Sequence, residues 1–524
     1  MPLDVPTASY ALPDGVDPPE LLAYLGKRFP VVAEPGASRS YTVLDTADRR
    51  LRAAGVDLDL ETGRGGPRLV LREPGGRPPL VADARRPRRN RYLLRDLPAG
   101  PLRERLAPIV ETRALLPLAS VEVGAQLVRV LNADDKTVAR VSLATPAALV
   151  GGGDGGTVPL TPRVDVSGVL GYPKPLGQVT AAVRRGPKGG LIDAPISLAD
   201  EAIAAVGGDP EGIRTKVHVN LSPDQRTDRA AVAVLCDLAG MVEANLPGTL
   251  ADLDTEFLHD LRVAVRRSRS VLRELKGAFP PEPLATQRDA LRWVQAVTGP
   301  TRDLDVQLLD WDHLVSAIPV ERHAALAPVR TLLVRHRAAA FRALRRELRG
   351  PTYRQAWDAY RAFLAGDLGP SGERPDAKRP IIDVAGRRIR KVYRRMLAMG
   401  AVIDATSPAG DLHELRKRGK ELRYLLELFG GLWPRRVVKP MVRSLKELQD
   451  VLGVHQDREV QASYLRGLAG ELAKSTGGPA ALLALGVLVD RLDAEQREAR
   501  DAFAERFDAF AAAGQQALVA KVFS

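Results

Sequence analysis

The sequence predicts an α+β multidomain chain: an antiparallel β-rich part followed by an all-helical part built from two related halves. Three observations carry this expectation. At 524 residues the chain exceeds one compact core, given roughly 100 to 200 residues per domain. Near residue 226 the pattern changes from short alternating segments to long stretches of 3.6-residue period. Within the helical stretch, two separate motif pairs recur at one constant offset.

The β-rich part reads from residue 1 to about 180. SYTVLDT, PRLVLREP, NRYLLRDL, QLVRVL and TVARVSLA are short extended segments broken by Gly and Pro. Alternation with frequent turns suits an antiparallel sheet or barrel. GGGDGG at 151–156 reads as a turn or loop between late strands. Residues 1–200 are therefore expected to form one domain, 201–225 a linker, and 226–520 the helical domain. LAGDLGPSGERPDAKRP at 364–380 interrupts the helical pattern, which divides it into halves of about 226–365 and 380–520.

Composition narrows the class. With 45% apolar and 27% charged residues and a mean hydropathy of -0.13, the chain can bury cores and is not a disordered polymer. No uninterrupted apolar run approaches the roughly 18 to 20 residues of a membrane span. MPLDVPTASY lacks the basic-then-apolar order of a signal peptide. A cytoplasmic protein with no membrane partner is expected. Cys236 is the single cysteine, so neither an internal disulfide nor a Cys-rich metal site can form, and AAVAVLC places it as an ordinary core residue. Lys and Arg total 77 against 64 Asp and Glu, a net charge of +13, and the pI is about 9.9. Such a balance points to a polyanionic partner.

The repeat is the most informative feature. FLHDLRVAVRRSRSVLREL from Phe257 matches DLHELRKRGKELRYLLELF from Asp411, with His259 facing His413 (413 − 259 = 154). LRWVQAVTGPTRDLDV from Leu291 matches LKELQDVLGVHQDREV from Leu445 at the same offset, pairing Gln295 with Gln449, Gly299 with Gly453 and Asp303 with Asp457. Two halves with one helical plan should pack about a pseudo-twofold axis.

His259, Arg262, Arg266 and Arg269 lie at i, i+3, i+7 and i+10, and His413, Arg416, Lys420 and Arg423 repeat that spacing. On a helix these positions share one face. Each half thus presents a cationic ridge, while Val263, Val265, Leu272, Leu422, Leu425 and Leu426 can anchor neighbouring faces. The plainer reading is a solvated face neutralised by Asp260, Glu274, Glu414 and Glu421. Residues 257–276, however, carry six basic and two acidic side chains, so an anion is needed to relieve the repulsion. Arg267 and Arg273 adjoin the first ridge. Arg342, Arg345 and Arg349, and likewise Arg388, Lys391 and Arg395, repeat the i, i+3, i+7 spacing and either widen the cationic surface or form solvated outer faces.

Metal is not expected at either histidine, because no second His or Cys completes a ligand set. Asp303 and Asp305, matched by Asp457 and Glu459, follow Gly299 and Gly453, which suggests N-capping or ion pairs to the Arg/His helices rather than acid–base catalysis.

LHDLRVAVRRSRS, GPTRDLDV, LHELRKRGKELRYLLELF and LQDVLGVHQD resemble the CHAD domain, the conserved-histidine α-helical domain, over about 226–520. The resemblance implies two pseudo-symmetric four-helix bundles and a basic surface that binds inorganic polyphosphate. It also implies phosphate contacts from His259, Arg262, Arg266, Arg269, His413, Arg416, Lys420 and Arg423. Over about 1–200, SYTVLDTADRRLRAAGVDLDLE and GYPKPLGQVTAAV resemble the DT…LR..G hairpin and closing helix of a CYTH domain, the triphosphate tunnel fold. That family's catalysis rests on a metal-holding Glu-x-Glu-x-Lys strand, where this chain has Val5, Thr7 and Ser9. Arg72, Arg113 and Arg129 remain as cations for such a tunnel. Cations without metal-binding acids hold phosphate but do not activate water.

The implied protein is a degenerate CYTH-like domain fused to a CHAD domain. Its expected role is non-catalytic polyphosphate binding, without cofactor or metal, in the cytoplasm and at polyphosphate granules. A metal-dependent triphosphatase or polyphosphatase is the enzyme alternative. A nucleic-acid binder also suits the charge, but 5% aromatics offer little surface for stacking bases.

Overall fold

The structure, a computed structural model, describes residues 8–12, 17–63, 65–73, 78–85, 90–151, 155–187, 190–193, 196–366, 374–404 and 406–523. Val5 and Thr7 lie outside the described residues, as do parts of the 151–156 and 364–380 segments. The chain divides into two units, Met1–Arg214 and Thr215–Ser524.

The first unit is a curled antiparallel sheet, consistent with a tunnel-like CYTH domain. In order it contains β1 (Ala8–Ala11), α1 (Pro18–Gly26), β2 (Val31–Ala33), β3 (Ala37–Asp45), α2 (Arg50–Ala53), β4 (Asp57–Gly63), β5 (Gly66–Arg72), β6 (Leu80–Asp83), α3 (Pro101–Val110), β7 (Leu116–Leu131) and β8 (Thr137–Leu149). β9 (Thr157–Pro159), β10 (Arg163–Gly168), α4 (Pro173–Arg185), β11 (Ile192–Asp193) and α5 (Leu198–Ala205) complete it. The strand order is β11-β1-β10-β8-β7-β3-β4-β5-β6, with β2 on β7 and β9 on β8.

Alternation along the long strands explains the packing. Val121 and Val123 of β7 cluster with Ala202 and Ile203 of α5. Val128 and Val130, of opposite parity, cluster with Leu21 and Leu25 of α1 and Val179 and Val183 of α4. The two sheet faces are therefore covered by different helices. GYPKPLGQVTAAV, expected to be a closing helix, forms α4 with α1 on its side of the sheet, and α5 covers the other. NRYLLRDL is not a strand: Tyr92 makes an isolated bridge to Leu115, and Leu94–Asp96 is a short 3₁₀ turn. There the Asp96 carboxylate accepts from the Leu93 amide at 2.9 Å and favours the turn over a ladder.

The second unit runs α6 (Thr227–Ala251), α7 (Thr255–Glu274), α8 (Pro281–Leu309), α9 (Trp311–Ser316), α10 (Ala327–Arg349) and α11 (Pro351–Ala365). It then runs α12 (Ile381–Gly400), α13 (Ala409–Phe429), α14 (Arg435–Gly467), α15 (Ala469–Leu472), α16 (Gly478–Asp501), α17 (Phe503–Phe510) and α18 (Ala513–Val522). The starts of α6 and α12, of α7 and α13, and of α8 and α14 fall at equivalent repeat positions. α6 is long and apolar enough by length and composition to cross a membrane. Here it is a core helix, with Ala230, Val234, Leu235 and Leu238 fully buried. Cys236 is half-buried at the edge of the same core.

Pseudo-twofold packing is visible in reciprocal contacts. The Thr227 amide donates to the Arg379 carbonyl at 2.9 Å, and the equivalent Ile381 amide donates to the Gln225 carbonyl at 2.8 Å. The main core draws on both halves, joining Leu261, Val265 and Leu272 of α7 to Leu415, Leu422 and Leu425 of α13. A second cluster joins the far ends of α8 and α14 to α10 and α16.

Candidate anion-binding site

α7 starts cleanly because the Asp254 carboxylate accepts from the Glu256 and Phe257 amides at 2.9 and 3.1 Å. Its apolar stripe, Leu258, Leu261, Val265 and Leu272, is buried, which leaves the arginine positions on its other faces. α13 follows the same plan with Leu412, Leu415, Leu422 and Leu426.

The two helices are tied by a pair of reciprocal ion pairs. Arg267 of α7 meets Glu427 of α13 at 2.7 Å, and Arg273 of α7 meets Glu421 of α13 at 3.2 Å. Under the repeat, Glu421 stands at the position of Arg267 and Glu427 at that of Arg273. One symmetry-related contact is thus made twice, with both arginines on α7 and both glutamates on α13.

Beside this crossing lies a cavity of about 240 Å³. α7 lines it with Arg266, Arg269, Ser270 and Arg273, α8 with Arg288 and Arg292, and α13 with Lys417, Lys420, Glu421 and Tyr424. Both halves contribute cations, and Glu421 is the only carboxylate lining it among the described residues. Burial holds the Arg269 guanidinium below its ordinary value, helped by Arg292, Arg273, Arg266 and Arg288. Burial, with Arg416 and Arg266, pushes the Lys420 ammonium down to about 8. Both shifts mark positive charge crowded without enough compensation, the condition an anion relieves.

Of the eight ridge residues, the cavity collects Arg266, Arg269 and Lys420. Arg262 is turned inward and 9% exposed. Its guanidinium donates to the Gln295 carbonyl and the Thr298 hydroxyl at 2.8 and 2.7 Å, and burial beside Arg266 lowers it to about 10. Arg416 reaches its own following helix in the same way, pairing with Asp457 at 2.9 Å. Asp303, the repeat equivalent of Asp457, acts electrostatically on Arg262. In each half the repeated acid thus stands near the first arginine of its ridge, as an ion pair in the second half and as a longer-range charge in the first.

His413 Nδ1 hydrogen-bonds the Gln456 side chain, and His259 is half-buried near the start of α7. Neither lines the cavity. Arg423 pairs with Glu427 at 2.6 Å, the carboxylate that also meets Arg267, so the counterpart of Arg269 is drawn to an acid and does not line this cavity. Arg273 lines the cavity, whereas Arg267 is held by Glu427. Arg342, Arg345 and Arg349 are exposed on α10, Lys391 and Arg395 are exposed on α12, and Arg388 sits 4.0 Å from Asp376. None of these six lines the cavity.

N-capping by Asp303 and Asp305 is corrected. α8 runs unbroken through Gly299 and Pro300, so both acids lie inside the helix, and Asp305 pairs with Arg337 of α10 at 2.8 Å. The spacing of the ridges missed Arg288, Arg292 and Lys417. Arg288 and Arg292 share an i, i+4 face of α8, a weak signal on its own.

In the first unit, the cations expected to face a tunnel are already paired. Arg72 meets Asp59 and, at 3.0 Å, Glu61, while Arg129 meets Glu34 at 2.9 Å. Arg113 is 1% exposed and sits 3.4 Å from Asp48. Burial pushes Asp59 up to about 6 despite Arg72. Ser9 lies in β1 opposite Asp165 of β10. No cluster of three metal-ligating side chains occurs among the described residues.

Residues 233–466 match the CHAD domain family. Uncharacterized proteins from two strains of Mycobacterium tuberculosis are 30% identical over 234 residues, 43% of this chain and 42% of theirs. The match thus spans less than half the length of these curated relatives. Among solved structures, the CHAD domain from the plant Ricinus communis has a TM-score of 0.48 at 24% identity, covering 55% of this chain and 94% of that one. PptA from Streptomyces chartreusis has a TM-score of 0.43 at 19% identity, covering 54% and 100%.

Proposed function

We propose, from a CHAD domain at residues 233–466, that this protein binds inorganic polyphosphate without transforming it. The observation that carries the reading is the cavity beside the α7–α13 crossing, where cations from both repeats converge around a single carboxylate. Planar guanidinium groups suit phosphate oxygens. A chain of singly charged phosphates can satisfy several of them at once while extending beyond the cavity. Tyr424 is the only aromatic residue lining it, which favours phosphate over stacked bases.

The first unit is read as a scaffold rather than a hydrolase. Its candidate cations are paired with acids, Arg72 with Asp59 and Glu61 and Arg129 with Glu34. The test is competition among long-chain polyphosphate, tripolyphosphate, ATP and duplex DNA for the purified protein. Polyphosphate should displace the others, and combining Arg269→Ala with Lys420→Ala should abolish that preference. Preferential DNA binding would instead establish the nucleic-acid reading.

A further inference from the structure

The repeat is informative where it breaks. Glu274 stands where the second half carries Leu428, and Glu421 stands where the first half carries Arg267. These two departures bring two acids together beside the cavity, which Glu421 itself lines. Glu274 and Glu421 are 7% and 5% exposed. The Arg273 guanidinium reaches both carboxyl groups, at 2.7 and 3.2 Å, and two buried acids gathered on one cation favour a proton on one of them over two full charges.

The surroundings are cationic on every side. From α7, Arg273 donates to Glu274 at 2.7 Å and contacts Glu421 at 3.2 Å, bridging the pair while lining the cavity. From α13, Arg418 donates to Glu421 at 2.7 Å, and Lys417 and Lys420 stand one turn or less away along the helix. From α12, Arg388 acts on Glu274. From α8, Arg288 and Arg292 complete the cavity wall.

We propose that the Glu274–Glu421 pair is a proton switch for the anion site, an inference that rests on reading this cavity as a polyanion site. With the shared proton in place, the pair carries one negative charge and leaves part of the Arg273 charge to the ligand. When the proton leaves for solvent, the pair carries two negative charges, compensates Arg273 fully and opposes phosphate. Polyphosphate binding and proton uptake at this pair are therefore coupled, and each favours the other.

The working range is near neutrality. Burial, together with Glu274, pushes Glu421 up to about 7. Burial also opposes ionisation of Glu274, but its interactions with Glu421 and the Arg273 guanidinium hold it below its ordinary value. The pair is thus protonated once below about 7 and loses that proton above it, so affinity falls as pH rises. Lys420, lowered to about 8, changes affinity in the same direction but at higher pH.

Calorimetric titration with long-chain sodium polyphosphate at pH 6 and pH 8 and fixed ionic strength tests this, since internal phosphates stay ionised throughout. Wild type should bind about tenfold more tightly at pH 6, a shift of about one pKa unit on binding. In Glu421→Gln the ratio should shrink to about two- to threefold, the remainder belonging to Lys420. An unchanged ratio overturns the switch. A ligand-free measurement reads the pair directly: a raised carboxyl pKa costs stability progressively as pH rises from its ordinary value towards about 7, so Glu421→Gln should gain melting temperature over wild type by more at pH 8 than at pH 6. An equal difference at both pH values also overturns the shared proton. Failure of wild type to bind at either pH would overturn the polyanion reading and the coupling built on it, while the melting comparison still judges the pair itself.

Discussion

Replacing Arg288 and Arg292 with Ala removes the α8 side of the cavity, and it separates a three-helix site from a pair of helical ridges. A cation about 5 Å from a phosphate charge at an effective dielectric near 20 gains about 3 kcal/mol before desolvation and ordering costs. Arg292 is 62% exposed and already bridged to Asp289 at 2.6 Å, so its net share is about 0.5 kcal/mol. Arg288 is half-buried and should retain about 1.5 kcal/mol, typical of a charge-assisted hydrogen bond. Together the losses amount to about 2 kcal/mol, or roughly 30-fold in affinity. Fluorescence anisotropy of end-labelled polyphosphate from about 50 to about 200 mM salt should show this loss and a log–log salt slope reduced by between about one and two. The matched control is Arg342→Ala with Arg345→Ala on the exposed face of α10, for which less than about a twofold change is expected. Equal losses from the two double variants would refute the cavity and restore a diffuse basic surface.

Lys420→Arg should keep full charge above pH 8, so the fall in polyphosphate affinity between about pH 7 and pH 9 seen for wild type should flatten in titrations of the variant, because burial holds the Lys420 ammonium down to about 8. Arg267→Glu and Glu427→Arg should each destabilise the helical unit by about 1 kcal/mol in urea unfolding, with the double variant recovering most of the loss; strictly additive losses would mean that the 2.7 Å pair contributes no coupling. Phosphate release from tripolyphosphate or ATP with Mg²⁺ or Mn²⁺ should match buffer controls, and turnover abolished by Asp59→Asn would identify a hydrolytic first unit.

The helical repeat, its constant offset and the two cationic ridges were legible in the amino-acid chain. Each of these is local or quasi-periodic information: the 3.6-residue period places Leu261, Val265 and Leu272 on a core face, and the constant offset reports one helical plan used twice. The recurrence of Asp303 and Asp457 was equally legible, but not their role, because N-capping and pairing to Arg262 or Arg416 leave the same acid spacing in the chain. Only the continuity of α8 through Pro300 separates them.

The tertiary structure alone decided which cations converge. Periodicity states which face of a helix a side chain occupies, and says nothing of what that face meets. The crossing of α7 and α13 brings Arg269 and Lys420 to one cavity, turns Arg262 into α8, and gives Arg423 to Glu427. It also gathers Glu274 and Glu421, acids far apart in the chain, on the one Arg273 guanidinium. Charge–charge energies depend on distances and burial that folding creates, so equally spaced ridges meet unequal surroundings: Arg269 lines the cavity while Arg423 shares Glu427 with Arg267.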